Sequence, residues 1–506
     1  MRSGRSDDPL MGTMRLTLPS GMTAETAGEL KRAYMAGGPD NMPWPTDLHL
    51  TSAQMTATRD LDDSGYLAAP WPIAGAGRLM GATATLMERP HPYQLLVELA
   101  RGKINQLRGQ AYDWQMLRLQ IPDALQQEIR GTASALGRAI AFAKADDVNR
   151  EAQTALDLAY NVADRLVHTY VDQVFSIRRQ RQPRLESTLG CRIGVTPPSP
   201  EATALVKETF NAVHLPLAWN LVEAEEATYN WQPHDAVLTW AEGNGLPVIA
   251  GPLIDFSSLQ LPAWLWLWER DLPNMAGFMC KFVEAAVRRY RHRIRRWQLT
   301  AASNFASVLS LTEDELLGLT YRLAEAARQI DPTLEIVVGV AQPWGEYMAT
   351  VERIHSPFVF ADTLIRSGMN LAALDVELVM GPTSRGSYCR DLLEASRLLD
   401  LYAQLGVPMR VTLGYPSASA ADHDADPEMH VGAGRWRGGY KPEVQAEWAA
   451  VFTPLALCKP YVQGAQWAHL FDAEPHQFPN CGLIDAAGKV KPAAAKLREV
   501  REAYLK

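Results

Sequence analysis

The sequence predicts a TIM (β/α)8 barrel that is preceded by a small antiparallel β-domain and a helical segment. Three observations support this prediction. From Cys191 onward, apolar strand-like runs alternate with helix-like runs; residues 14–87 alternate apolar and polar side chains; and residues 92–181 follow a helical period. We therefore expect a β-rich domain at 1–90, for which a sandwich is one arrangement, a helical segment at 91–185 and the barrel at 190–506. Pro183 marks the last boundary.

Eight apolar runs are the predicted barrel strands. They are Arg192–Thr196, Ala212–Trp219, Leu246–Asp255, Arg295–Ala302, Leu334–Ala341, Leu371–Met380, Pro408–Tyr415 and Val462–Phe471. Helical stretches fill the gaps between them, such as Ala276–Arg291 and Thr312–Ile330. Chemistry in such a barrel belongs at the C-terminal ends of the strands.

Composition narrows the classes of function. The 506-residue chain is 47% hydrophobic and carries a net charge of -8, which is typical of a globular protein with a large core. This acidic balance argues against a nucleic-acid partner, because phosphates are neutralised by an excess of Lys and Arg. The sequence contains no run of about eighteen apolar residues, so no membrane span is predicted.

The cysteines and the first residues bear on location. The five cysteines are scattered without CxxC spacing, and this odd count suits reduced thiols. The first fourteen residues, MRSGRSDDPLMGTM, lack the apolar segment of a secretory signal. We expect a cytoplasmic protein, and homo-oligomerisation stays open.

Several motifs in the C-terminal part resemble those of one enzyme family. The matching groups are Trp219 with Glu223 and Thr228-Tyr229-Asn230-Trp231; Gly251 with Gln260-Leu261-Pro262-Ala263-Trp264; Trp297; Trp467 with Asp472; and Gly482-Leu483-Ile484-Asp485 with Lys491-Pro492-Ala493. As a set over about residues 190–506, they resemble glycoside hydrolase family ten, the xylanases. The resemblance implies a TIM barrel that binds and cleaves a glycan.

The sequence departs from the family pattern where the glycosidic bond would break. The resemblance places the acid/base glutamate at Ala302 and the nucleophile at Leu413, and it places the sugar-binding histidine at Pro252. A retaining glycosidase needs two carboxyl groups about 5–5.5 Å apart, and neither Ala nor Leu supplies one. We therefore predict that the family's own mechanism does not operate here.

Other acidic residues at strand ends are candidate replacements. Asp255 ends the third predicted strand, while Asp375 and Glu377 share one face of the sixth. A carboxyl pair formed by Asp255 and Glu377 could serve an inverting mechanism, which uses a separation of about 6.5–9.5 Å; the alternative is that both bind backbone amides or arginines. Glu346, after the fifth strand, is a further catalytic candidate, and its alternative role is in a loop anchored by Trp344.

Two neighbouring loops, an acidic one and a glycine-rich one, contain residue types that are found in ligand sites. Residues 422–430 contain the side chains that bind hard cations or zinc, but without EF-hand spacing, which favours a solvated acidic loop. Residues 432–439 lack the features of a phosphate loop and suit a lid over the cleft. We predict neither a bound metal nor a cofactor.

Aromatic residues suggest where a glycan would lie, because sugar rings stack on aromatic faces. The candidate substrate-binding residues are Trp219, Trp344, Asp375, Trp436, Trp467 and Asp472. For the tryptophans, the alternative is packing between helices in the core.

Three functions remain open from the sequence. The first is a divergent glycoside hydrolase that acts on an oligosaccharide or glycoside through relocated carboxylates. The second is an inactive barrel that still binds a carbohydrate ligand. The third is an intracellular assembly or scaffold protein. The loss of the family's charged sugar contacts favours the second and third, whereas the new acids at strand ends favour the first.

Overall fold

The computed structural model describes residues 12–38, 40–61, 63–141, 144–182, 184–257, 260–305 and 308–505. Residues 1–11, which include most of the segment tested for a secretory signal, and Pro183, the predicted boundary, lie outside these residues. Among the described residues, every helix is too short or too polar to cross a lipid bilayer.

The described residues up to Gln94 form two small sheets. Their strands are β1 (Thr13–Thr17), β2 (Tyr34–Gly37), β3 (Met42–Pro43), β4 (Asp47–Leu50), β5 (Gln54–Thr58), β6 (Tyr66–Ile73), β7 (Gly77–Ala82) and β8 (Tyr93–Gln94), with helix α1 (Ala24–Glu29) after β1. One sheet has the order β4-β5-β1-β8, and the other contains β7-β6-β2-β3. Buried and more exposed residues alternate along β1 and β5, so one side of each strand faces the core, as the sequence pattern predicts.

Three long helices follow, where the helical period of the sequence predicts them. They are α2 (Leu95–Met116), α3 (Asp123–Ala141) and α4 (Ala145–Arg181). The apolar residues of these helices belong to the same buried cluster as the barrel core. The predicted division of the chain into separate domains at 90 and 185 stays a prediction.

The remaining chain forms a closed parallel barrel, which confirms the predicted fold class. Its strands and the short strands of its loops are β9 (Thr188–Arg192), β10 (Ala212–Leu215), β11 (Val248–Ala250), β12 (Ile254–Asp255), β13 (Arg296–Ala301), β14 (Glu335–Val340), β15 (Ala373–Val379), β16 (Pro382–Thr383), β17 (Met409–Gly414), β18 (His430–Val431), β19 (Arg435–Trp436) and β20 (Val462–Trp467). The ring runs β9, β10, β11 with β12, β13, β14, β15, β17, β20, and β20 pairs with β9 to close it. These are barrel strands one to eight.

Helices surround this ring. They are α5 (Pro200–Thr209), α6 (Trp219–Val222), α7 (Gln232–Gly243), α8 (Leu272–Tyr290), α9 (Glu313–Ile330), α10 (Pro357–Arg366), α11 (Leu392–Ala403), α12 (Pro442–Cys458) and α13 (Pro492–Tyr504). Most begin at residues that favour helix starts. Thr312, for example, forms a capping box with Glu315 at the start of α9, and Pro occupies the first turn of α5, α8, α10, α12 and α13.

Two predicted strands differ from the observed ones. The first strand is Thr188–Arg192 and not Arg192–Thr196, because prolines follow at 197 and 198 and Gly190 permits close approach to the strand beside it. A Cβ atom at Gly190 would lie 3.3 Å from the carbonyl oxygen of Ala212. The third strand is split into β11 and β12, since Pro252 has no N–H to donate to a sheet.

A loop of the barrel joins the N-terminal sheet. The short strand β19 pairs with β7, with Trp436 opposite Gly77 and Arg435 opposite Arg78. Two residues of the predicted lid at 432–439, Arg435 and Trp436, therefore form a strand of the N-terminal sheet. The N-terminal part is further attached by a buried ion pair between Lys103 of α2 and Asp391 at the start of α11.

We expect Gly77→Ala to weaken this attachment. Gly77 has φ +106°, and a Cβ atom there would lie 2.3 Å from the carbonyl oxygen of Arg435. The change should lower the free energy of unfolding by about 1–3 kcal/mol, measured by urea denaturation. Gly131→Ala is the matched control. Gly131 lies inside α3, and a Cβ atom added there would meet no heavy atom within 4 Å apart from the backbone of the helix itself, so the change should stabilise the protein by about 0.5–1 kcal/mol. Equal effects of the two changes would contradict the prediction.

Candidate functional site at the barrel mouth

A cavity of about 390 Å³ opens at the C-terminal ends of the barrel strands, where TIM-barrel enzymes bind their ligands. We call it the barrel-mouth cavity. Its wall is formed by the ends of strands one, two, three and eight and by the loop after strand seven. The charged and polar residues of the wall are Arg192, Asn220, Asp255, Gln260, Asp424, Asp426, His469, Glu474, His476 and Gln477. The apolar part includes Pro216, Ala218, Pro252 and Phe471.

Asp255 and Glu377 lie near each other with an arginine between them, an arrangement that fits the alternative in which both carboxylates bind an arginine. Arg385 Nη1 donates to both oxygens of Asp255 at 2.9 and 3.1 Å, and its Nε and Nη2 donate to Glu377 at 3.1 and 2.6 Å. All three side chains are buried, at 6%, 3% and 3% exposure for Asp255, Glu377 and Arg385. The two carboxyl groups are therefore less than about 8 Å apart, which is two hydrogen-bond lengths plus the width of a guanidinium.

The loop that carries Arg385 is held from strand five. The side-chain nitrogen of Gln342 donates to the carbonyl oxygens of Ser384 and Gly386, on both sides of Arg385. The short strand pair β16–β18 fixes the same loop to the segment after strand seven. Asp255 still lines the cavity, whereas Glu377 lies on the other side of the arginine. The catalytic roles predicted for the two residues stay predictions.

Asp375 lies deeper, inside the barrel. Its carboxylate accepts hydrogen bonds from Thr412 Oγ1 at 2.8 and 3.0 Å and from Gln466 Nε2 at 3.1 Å. Burial raises the pKa of Asp375, although nearby Arg410 opposes this effect. Asp375 is not among the residues of the cavity wall, so its surroundings favour a role in the barrel interior over contact with substrate.

Glu346 and Trp344 lie elsewhere, between the barrel and the N-terminal part. Glu346 forms an ion pair with Arg390 and accepts a hydrogen bond from the backbone N–H of Tyr388 at 3.0 Å. Trp344 has the Arg390 guanidinium over its ring at 4.3 Å. Arg390 also donates to the Tyr34 hydroxyl at 2.9 Å, which links both residues to β2. These contacts favour a structural role for Glu346.

Trp344 lines a second cavity of about 620 Å³ at this junction, which is larger than the barrel-mouth cavity. We call it the junction cavity, and its wall includes Tyr34, Tyr66, Lys103, Trp344, Arg390 and Glu394. Size alone does not make it the better candidate, because apart from Trp344 and Arg390 its wall comes from the N-terminal part and from α11, and not from the strand ends at which TIM barrels carry out chemistry.

The other three predicted sugar-binding tryptophans are in the core. Trp219, Trp436 and Trp467 are each 1% exposed. The Trp219 ring stacks on Phe282 at 5.2 Å, and the Trp467 ring contacts Trp448 edge-on at 6.0 Å. Their position corrects the prediction that they line the cleft: each fills space between strands and helices, and no ring face is open to a sugar. This outcome matches the alternative of helix packing.

Asp472 belongs to a buried network beside the cavity. It forms an ion pair with Lys491, accepts a hydrogen bond from the Gly482 N–H at 2.6 Å and lies 3.3 Å from His469 Nε2. Burial works to raise the pKa of Asp472, but His469 and Lys491 outweigh it and lower the pKa. These contacts place Asp472 behind the cavity wall and not on it.

Two histidines complete the network. The rings of His469 and His476 stack at 4.2 Å, and His476 Nε2 lies 3.1 Å from a carboxylate oxygen of Asp422. Burial lowers the pKa of His469 to about 3. Burial acts in the same direction on His476, but its hydrogen bonds to Asp422 and to the Glu474 carbonyl outweigh burial and raise the pKa. His469, Asp472 and His476 are close enough to hold a metal ion, yet their polar atoms are already paired with protein groups.

Sequence reasoning missed several residues of this site. The sequence motifs do not single out Arg385 or Glu474, and they include Asp424 and Asp426 only as part of an acidic loop. The structure brings that loop to the cavity, where burial raises the pKa of Asp426. The available signal was acidic residues after strands seven and eight, which lie at the same end of the barrel as those after strand three.

The ends of strands four and seven show how the family's catalytic positions are filled. Ala302 is buried just after strand four and has φ +57°. On strand seven, Thr412 points into the barrel toward Asp375, so by alternation Leu413 faces the surrounding helices. Residues 296–305 and 409–415 contain no carboxylate, so a shift of register on either strand supplies none.

Residues 188–307 match the model of Glycosyl hydrolase family 10. The match covers barrel strands one to four and confirms the resemblance that the sequence motifs indicate. It ends before strand five, so the motifs near Trp467 and Lys491 lie beyond it.

Solved structures of the same kind are similar to this chain. Xylanase 10B from Thermotoga petrophila RKU-1, solved with xylobiose, is 17% identical over 65% of this chain and 97% of its own, with a TM-score of 0.47. Native xylanase 10B from Thermotoga maritima is 17% identical over 65% and 98%, with a TM-score of 0.46. A family 10 protein from Paenibacillus barcinonensis is 17% identical over 64% and 96%, with a TM-score of 0.48. The fold assignment rests on the closed strand order of the chain itself.

Proposed function

We propose that this chain is a carbohydrate-active protein that binds a short saccharide in the barrel-mouth cavity and hydrolyses a glycosidic bond there. It would do so with carboxyl groups that differ from those of the family pattern. One observation carries the proposal: the side chains of Asp255, Asp424, Asp426 and Glu474 line a single cavity at the C-terminal end of a barrel whose first half matches a glycosyl hydrolase family.

The size and lining of the cavity support a small ligand. A volume of about 390 Å³ is near the lower end of the range for small-molecule sites, which suits one or two sugar units. Carboxylates accept hydrogen bonds from sugar hydroxyls, and the apolar wall at Pro216, Ala218 and Pro252 can receive the C–H faces of a ring. A cytoplasmic location is part of the proposal, and the five free cysteines support it.

Asp255 is the carboxylate on which the first test should be made. It ends strand three, lines the cavity and is held in position by Arg385 and by the Ser257 N–H at 3.1 Å. In a hydrolytic reaction it would accept a proton from the attacking water. Glu377 would act through Arg385, as a positioning residue that fixes the guanidinium.

The test is a panel of aryl glycosides and oligosaccharides, including xylo-oligosaccharides, assayed for cleavage by the purified protein. We expect turnover of at least one glycoside and a loss of at least about 100-fold in kcat/KM in Asp255→Asn. Asp362→Asn is the matched control, because Asp362 lies in an exposed ion pair with Arg366 on α10. An unchanged rate in Asp255→Asn would remove Asp255 from the mechanism.

A second candidate function is glycan binding without hydrolysis. The specific observation in its favour is Arg385, which occupies both oxygens of Asp255 and both of Glu377 and so reduces their freedom to act as base or nucleophile. Saturable binding of a saccharide with no turnover over the whole panel would support this function. If the protein neither binds nor cleaves any saccharide of the panel, the scaffold hypothesis is favoured.

A further inference from the structure

We propose that Glu474, in the loop after strand eight, is the proton donor of the barrel-mouth site. This inference rests on the proposed hydrolysis of a glycoside in that cavity. It assigns to one residue the role that the family pattern gives to the position of Ala302, on the opposite side of the ring.

The geometry of the Glu474 carboxyl group is the first argument. Glu474 lines the barrel-mouth cavity and is half-buried, and its Oε2 atom is inaccessible to solvent with no hydrogen-bond partner among the described residues. Leaving a buried carboxylate oxygen unpaired is costly, whereas a protonated carboxyl group loses much less on burial. The burial of Oε2 therefore favours the protonated form of the carboxyl group, and a protonated carboxyl group of a residue on the cavity wall is suited to deliver its proton to a ligand.

The space that this carboxyl occupies is provided by Gly194. A Cβ atom on Gly194, just after strand one, would lie 1.5 Å from Glu474 Oε2. The φ of Gly194 is not in the left-handed region, so an alanine fits the backbone there but not beside the carboxyl. The absence of a side chain at this position is thus what lets Glu474 reach its place against strand one.

The surroundings of Glu474 differ from those of Asp255. Burial raises the pKa of Glu474, while Asp255 is fixed in an ion pair with Arg385. Two carboxyl groups in such different environments can divide the roles of acid and base. The other titratable groups on the cavity wall are Arg192, Asp424, Asp426, His469 and His476.

The reaction can be written with these groups. The Glu474 carboxyl gives its proton to the glycosidic oxygen as the bond from this oxygen to the anomeric carbon breaks, so the bonding pair leaves with the alcohol. Water adds to the anomeric carbon and loses a proton to Asp255. The products are the free sugar and the alcohol, and transfer of that proton through solvent restores Glu474.

The test compares leaving groups and pH in three variants. Glu474→Gln removes the acid, and Gly194→Ala displaces the carboxyl without removing it. Glu499→Gln is the control, because Glu499 lies in an exposed ion pair with Lys496 on α13. Each variant is assayed on the glycoside that the wild type cleaves fastest, with an alkyl and with a dinitrophenyl leaving group, and folding is checked by thermal denaturation.

For Glu474→Gln we expect a loss of about 100-fold or more on the alkyl glycoside and a much smaller loss on the dinitrophenyl glycoside, which needs no protonation. The fall in rate at alkaline pH should also disappear, because it reports deprotonation of the acid. Gly194→Ala should show the same preference for the better leaving group.

Three outcomes would overturn the proposal. In the first, the wild type cleaves glycosides, and Glu474→Gln keeps both the wild-type rate on the alkyl glycoside and the fall in rate at alkaline pH. Glu474 is then not the donor, although the proposed function stands. If Glu474→Gln loses rate equally on both leaving groups, its role is structural. If the wild type cleaves no glycoside, the proposed function fails and this inference fails with it.

Discussion

Replacing Arg385 with methionine should lower the free energy of unfolding by about 3–5 kcal/mol. The arginine is 3% exposed and is the cation shared by the buried carboxylates of Asp255 and Glu377. Its removal leaves two like charges close together in a region from which water is largely excluded, and both lose their strongest hydrogen bonds. Equilibrium urea denaturation at neutral pH measures the change.

A compensating variant separates lost charge from lost packing. Arg385→Met combined with Asp255→Asn and Glu377→Gln removes all three charges and should recover most of the lost stability. Replacing a buried group of ions as a whole often changes the free energy of unfolding very little. The control is Arg366→Met, which breaks the exposed pair with Asp362 and should cost less than about 1 kcal/mol. If the single and triple variants were equally unstable, the charge argument would be wrong.

Acidification should destabilise the protein through His469. The pKa of His469 in the folded protein is about 3, below the value of about 6.5 in an unfolded chain, because the ring is buried beside His476 and Lys491 and only Asp472 opposes their effect. The unfolded state therefore binds the extra proton first. The associated stability is complete above pH 6.5 and is lost as the pH falls toward 3, by about 3 kcal/mol between pH 6.5 and 4.

The measurement is the free energy of unfolding of the wild type and of His469→Gln over this pH range. Glutamine keeps a hydrogen-bond donor for Asp472 but does not titrate, so the free energy of unfolding of the variant should fall less steeply toward acid pH. His476→Gln is the matched control with the opposite sign. The pKa of His476 is raised in the folded protein, so the stability that this histidine contributes is present below pH 6.5 and is lost as the pH rises through the folded pKa. Parallel acid limbs for the wild type and His469→Gln would contradict the prediction.

Much of the fold could be predicted because strand and helix periods are local properties. The run Leu334–Ala341 is apolar on both faces apart from Glu335, as expected of a parallel strand covered by helices, and the observed strands lie within this run and within Arg295–Ala302. The errors arose where one residue changes the backbone. Pro252 interrupts strand three, and the observed first strand includes Gly190, a residue type that is depleted in strands.

Burial of the tryptophans could not be predicted. A tryptophan at a strand end can face the cavity or the helix layer, and the difference depends on neighbours distant in sequence. Trp219 meets Phe282 of α8, and Trp436 is fixed when β19 pairs with β7. Neither partner follows from the local pattern, so the tendency of sugar rings to stack on tryptophan gave the wrong environment for these residues.

Residue order along single strands establishes that this chain forms a barrel, with acidic side chains at several strand ends and no carboxylate in residues 296–305 and 409–415. Which acids share a cavity, and which are neutralised, depends on the tertiary structure. Asp255 meets Arg385 across 130 residues of chain, and Glu474 reaches its place through a gap at Gly194. The charge state of a carboxyl group depends on such neighbours, because desolvation and ion pairing act through space and not along the sequence.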